Sequence, residues 1–164
     1  MEKPCGLRAS RHDSIGASMT LARLLRIVVD TNVLVGAMIG TAGRNRQVLR
    51  ACLEGRVKPV VGEALFLEYE DVLDRKAIFR NSPLTAAERR ELFEAFLSVC
   101  EWVPVYYRWR PNLRDEGDNH LIELAVAGGA SAIVTNNVAD FRSSDLRFPE
   151  VSVLTPVDFL KELS

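Results

Sequence analysis

Ile27-Val28-Val29-Asp30-Thr31-Asn32-Val33-Leu34 is the stretch on which the fold turns. Three β-branched residues in a row read as a short buried strand. The run stops at Asp30-Thr31-Asn32, residue types that open a helix through Leu34 and Ala37. The chain repeats this strand-to-helix turn. After a break at Gly40 and Gly43, residues 44–55 place Val48, Leu49, Cys52 and Leu53 on one helical face, with Gly55 as the stop. Val57-Lys58-Pro59-Val60-Val61 reads as a second strand, and Pro59, which has no N–H, argues for an irregular or edge position. A helix from Glu63 to about Lys76 follows, with Leu65, Tyr69, Val72 and Leu73 on its apolar stripe. Thr85 and Glu88 then form a capping box for a helix reaching about Cys100.

Beyond Cys100, Trp102-Val103-Pro104-Val105 is a third strand candidate. Asp115-Glu116-Gly117-Asp118 begins a helix carrying Leu121, Ile122, Leu124 and Ala125, closed by Gly128-Gly129 before the strand Ala132-Ile133-Val134-Thr135. A final strand, residues 151–155, leads into a helix from Pro156 to Leu163. Repeated strand–helix units predict an α/β fold, a central parallel sheet with helices on both faces in three α/β/α layers. No internal repeat or second domain is visible.

With 164 residues and 48% hydrophobic composition, the chain is sized for one domain with one core. Its net charge of −1 excludes a globally basic nucleic-acid binder and a polyacidic disordered chain, so any nucleic-acid surface is a local patch. The longest uncharged stretch, residues 124–139, is interrupted by Gly128, Gly129, Asn136 and Asn137 and falls short of the roughly 20 apolar residues of a membrane span. Cys5, Cys52 and Cys100 form no C-x-x-C pair, which points to a reducing cytoplasm without disulfides or a thiolate zinc site. Residues 1–25 lack periodicity and are expected to be a disordered leader. Arginines interrupt every candidate signal-peptide core there, and Met19 offers a later start.

In open parallel sheets, ligands bind beyond the carboxyl ends of the strands. The acids cluster in those positions. Asp30 ends the first strand, Asp115 and Asp118 precede a helix that feeds the sheet, Asn137 and Asp140 follow Thr135, and Glu68 borders the buried stripe of its helix. Carboxylates converging in one place repel one another unless a cation sits between them, and hard oxygen donors without His or Cys select Mg2+ or Mn2+. Each acid also has a plainer role open to it. Asp30 could cap the following helix, Asp115 and Asp118 could face a helix dipole, Asp140 could cap a turn, and Glu68 could belong to a solvated face with Glu63, Glu70, Asp71 and Asp74. His120 is expected to be a partly exposed helix histidine. No serine–histidine–aspartate set and no phosphate-binding glycine loop is readable.

The segments I-V-V-D-T-N-V-L, F-L-E-Y-E-D-V-L, R-D-E-G-D-N-H-L-I-E-L-A and I-V-T-N-N-V-A-D-F resemble, in order and spacing, those of the PIN domain. More narrowly, they resemble the VapC-type toxins of bacterial toxin–antitoxin modules. The resemblance spans residues 26–164. It implies a Mg2+- or Mn2+-dependent ribonuclease, with Asp30, Glu68 and Asp118 as catalytic acids that also hold metal, and with Asn137 and Asp140 as further ligands. Asp115, Asn32 and Thr135 are auxiliary. The sequence departs from the pattern at Asn137, where many PIN domains carry an acid, and Asp140 is the candidate to compensate.

RNA would be held by Arg44, Arg46 and Arg50 on one helix, and by Arg108, Arg110 and Arg114 interleaved with Tyr106, Tyr107 and Trp109. The aromatic cluster suits a protein interface equally well. The partners implied are an RNA substrate, a cognate antitoxin and a second copy of the chain, with no membrane. A structure-specific DNA nuclease and a catalytically weak scaffold are the competing readings.

Overall fold

In the computed structural model, described residues are 23–40, 42–106, 118–142 and 147–164. Residues 1–22 of the proposed leader, Asp115, Arg108, Arg110 and Arg114 lie outside them. Five strands form one sheet: β1 (Arg26–Val29), β2 (Lys58–Val61), β3 (Glu101–Trp102), β4 (Ala132–Val134) and β5 (Ser152–Leu154). Their order is β3-β2-β1-β4-β5, and every neighbouring pair is parallel. The helices are α1 (Thr31–Ile39), α2 (Arg44–Leu53), α3 (Glu63–Asp74), α4 (Ala86–Val99), α5 (Asn119–Gly128) and α6 (Pro156–Leu163). Together they form the three-layer α/β/α arrangement.

The hydrophobic run of β1 lies at the centre, with Ile27, Val28 and Val29 at most 1% exposed. A strand buried on both faces has no polar side to show, hence the continuous apolar run. Helix α5 packs on β1, β2 and β4. Right-handed crossovers put the helices linking β1, β2 and β3 on the opposite face. The close approach of α5 to the sheet explains Gly128, where a Cβ would meet Val60 and Val103 side-chain carbons at 3.3 Å. Gly129 takes φ +59 at the end of α5, a left-handed turn that costs other residues energy. The capping box at α4 is complete, with Thr85 Oγ1 accepting from Glu88 N at 3.2 Å and Glu88 Oε2 accepting from Thr85 N at 2.7 Å.

Two expectations need correction. Pro59 lies in an interior strand, opposite Ile27 of β1. Lys58 N–H donates to Leu25 on the β1 side, so the next position faces β3, where pairing begins only at Val60. The missing N–H therefore falls where no strand awaits it. The third strand covers Glu101–Trp102 rather than residues 102–105, and Val103 N–H still reaches Val61 O at 2.8 Å before Pro104 ends the ladder.

Candidate active site

Asp30 directly follows β1, the strand on either side of which the connections run in opposite directions. A crevice opens beyond the carboxyl ends at such a point. Its N–H donates to Val134 O of β4 at 3.0 Å, and the residue is only 6% exposed. Thr135 Oγ1 and Asn32 Nδ2 both donate to its Oδ2, at 2.7 and 3.1 Å. The side chain makes no cap bond to α1, although the N–H groups of its first turn favour the Asp30 charge. Asn32 also reaches Thr135 Oγ1 at 3.3 Å and accepts from Asn136 N at 3.1 Å, clasping the ends of β1 and β4 together.

Glu68 arrives from α3, which is fixed by its neighbour Tyr69. The Tyr69 hydroxyl donates to Val29 O, and the buried ring meets Phe93 and Phe96 edge-on at 5.9 and 6.0 Å. With Tyr69 turned inward, the preceding residue is about 100° round the helix, at the margin of the buried face. Asp118 occupies the N-cap position of α5 without a side-chain cap bond. The three acids line one cavity of about 290 Å³ with Asn32 and Asn137, walled by Val35, Val72 and Ile78.

The electrostatics of the two strand- and helix-borne acids are opposed. Burial pushes the Asp30 carboxyl up and the Thr135 hydroxyl pulls it down. Glu68 charge pushes it up again, the backbone N–H groups of Thr31 and Asn32 pull it down, and the net shift is upward. Burial also pushes Glu68 up, yet the neighbouring His120 and Thr31 side chains and the Arg75 charge outweigh it, leaving Glu68 below its ordinary value. Asn137 lines the cavity and donates from Nδ2 to Asp140 Oδ2 at 2.6 Å. Asp140 itself is not among the described lining residues; it sits on the exposed turn beyond and steadies the amide.

The donors are hard oxygens, and no Lys or Arg lines the cavity among the described residues. Asp30 and Glu68 repel across it. Among the described residues, no three of His, Cys, Asp or Glu crowd closely enough to enclose an ion. Such a set fits Mg2+ or Mn2+, since Mg2+ keeps several waters and takes only one or two carboxylates. Arg44 and Arg50 do not share this cavity; with Arg56 and Lys161 they line a separate groove of about 280 Å³ between α2 and α6, and Arg46 is half-buried on the same helix.

A family model for the PIN domain matches residues 26–139. The chain belongs to the PIN-domain family. Two solved complexes are similar to this PIN domain in fold. VapBC2 from Rickettsia felis, bound to a DNA fragment from its promoter, aligns with a TM-score of 0.55 at 14% identity over 80% of this chain and 98% of that one. DNA-bound VapBC from Salmonella typhimurium aligns with a TM-score of 0.54 at 15% identity over 81% and 99%. No curated protein sequence matches the chain.

The residue of this PIN domain that sequence reasoning misplaced is His120. It is buried, and its Nε2 lies 2.8 Å from Glu68 Oε2. Nearly the whole first half of α5 is buried, Asn119 and Glu123 included, so the helix has no solvent face there on which a histidine could lie. Two residues after Asp118, on an element that must enter the core all round, was the one available signal.

Proposed function

We propose that this PIN domain is a metal-dependent endoribonuclease, the toxin of a type II toxin–antitoxin module acting in the cytoplasm. The observation that carries the reading is the cavity shared by Asp30, Glu68 and Asp118, with no described cation on its lining. Its hard oxygen donors suit Mg2+ or Mn2+. A bound divalent ion supplies a water of lowered pKa and neutralises charge on the phosphate. The protein's own residues do the rest. Asp30 and Asp118 offer anionic oxygens, Thr135 and Asn32 hold the Asp30 carboxylate in one orientation, and Glu68 stands where it can orient the attacking water and take its proton. Asn137 contributes a neutral carbonyl, kept in place by Asp140. Because Arg44 and Arg50 lie outside the cavity, they hold phosphates flanking the cut rather than the one being cleaved.

The antitoxin partner is supported by the motif resemblance and by the fold shared with two VapBC complexes. A homodimer or higher oligomer belongs to the same reading. Neutral Asn137 and the absence of a tight three-ligand group among the described residues favour, as the second reading, a weakly catalytic scaffold. Incubation with single-stranded RNA and DNA in Mg2+, then in excess chelator, tests these readings. Cleavage of RNA alone, stopped by chelator and restored by Mg2+, is expected. Cutting of DNA would favour a DNA nuclease, and intact nucleic acid throughout would favour the scaffold.

A further inference from the structure

His120 stands between two cavities. One side of its ring meets the acid site through Glu68; the other lines a second cavity of about 370 Å³ with Gly62, Trp102, Tyr106 and Glu123. The His120 side chain is 10% exposed and that of Glu68 36% exposed, so the histidine is fixed by packing whereas the glutamate has water within reach. Glu68 also faces the charge of Asp30 in the shared cavity. A flexible carboxylate repelled by its neighbour and open to solvent rotates away unless something holds it. Two buried side chains stand beside it, Thr31 and His120, and His120 Nε2 is 2.8 Å from Oε2.

We propose that His120 is a positioning residue, whose Nε2–H holds the Glu68 carboxylate over the acid cavity before any cation or RNA arrives. The proposal rests on the reading of that cavity as the reaction site. A neutral imidazole protonated at Nε2 is also able to donate to the carboxylate, so the role requires no change of protonation.

Three variants separate donation from volume. His120→Gln carries an amide N–H to about the Nε2 position, His120→Leu fills the space without donating, and His120→Asn donates but falls short of Glu68. Cleavage of an oligoribonucleotide in Mg2+ is expected to lose about 10- to 100-fold in kcat for Leu and Asn, with KM within about threefold and Gln near wild type. Mn2+ binding to the RNA-free protein, followed by electron paramagnetic resonance, is expected to weaken about tenfold in Leu and Asn and to hold in Gln. In a Glu68→Gln background, His120→Leu and His120→Asn should add nothing to either measurement.

Equal losses for Gln, Asn and Leu, or losses that persist in the Glu68→Gln background, overturn the proposal. If His120→Leu fails to fold, the Gln–Asn comparison alone decides. Should Asp30→Asn and Glu68→Gln both leave cleavage and Mn2+ binding intact, the site reading falls and His120 with it. If those two weaken both measurements while the His120 losses persist undiminished in the Glu68→Gln background, the positioning role alone is lost.

Discussion

Burial makes ionising Asp30 costly in the folded protein. Its raised pKa means that, between the ordinary carboxylate range and its own value, the folded state keeps a proton the unfolded chain has released. Its contribution to metal-free stability therefore falls as pH rises through that window and stays low above it. Asp30→Asn is expected to raise the metal-free melting temperature at neutral pH by a few degrees, with the gain vanishing in strong acid, while Mg2+-dependent cleavage drops by orders of magnitude. Differential scanning calorimetry across pH and a cleavage assay check the two halves. Glu68 carries the opposite sign: its lowered pKa stabilises the fold above the ordinary carboxylate range, and that stability is lost as pH falls through its own value. Asp30 was legible because an acid closing a run of β-branched residues has little structural excuse. Glu68 stood among four other acids on its helix and was picked out by motif alone. His120 was illegible, since burial of α5 on all sides is a property of its place in the sheet stack and not of its periodicity. Asn137→Asp would set a carboxylate against Asp140, whose oxygen now accepts from the amide at 2.6 Å. Mg2+ affinity is therefore expected to rise by roughly 1 to 2 kcal/mol only when Asp140→Asn is also present, with little change in the single variant. Calorimetric Mg2+ titration of both reads the difference, and an equal rise in the single variant would refute the coupling.

At the scale of elements, the short code of caps and stops is what the sequence declared most openly. Thr85 and Glu88 announced α4, and Gly128-Gly129 announced the end of α5, because both are local hydrogen-bonding or backbone requirements written in adjacent residues. Strand β3 and the interior place of Pro59 depended on which strand lies beside which, a matter settled some forty residues away along the chain. The two kinds of signal differ in what a substitution does. Gly129→Ala forces a side chain into a left-handed turn at φ +59 and is expected to cost about 1 kcal/mol, whereas Gly43→Ala, extended and with nothing within 4 Å of a Cβ, carries no strain and loses only glycine's advantage over alanine as the N-cap of α2. Thr85→Ala removes a helix cap and should also cost about 1 kcal/mol. Urea denaturation of the three variants ranks them.

Across the whole molecule, the sheet and the helical layer above it are joined beside the site by the bond from the Tyr69 hydroxyl to Val29 O. Its two ends are the chain neighbours of Glu68 and Asp30. The spacing of the two backbones that carry these acids is thus set by the scaffold. A gap held from outside discriminates by ionic size, because a larger ion cannot push the walls apart, while a sprung one adapts to each. Tyr69→Phe releases that spacing while keeping the ring and its aromatic packing. Wild type is expected to prefer Mg2+ over Ca2+, and the variant to lose much of that preference by gaining Ca2+ rather than by failing to bind Mg2+. Competition titrations of the two ions measure the ratio, and an unchanged ratio would show that ion choice resides elsewhere. On this expectation, the choice of cation is set by a phenol that never touches it.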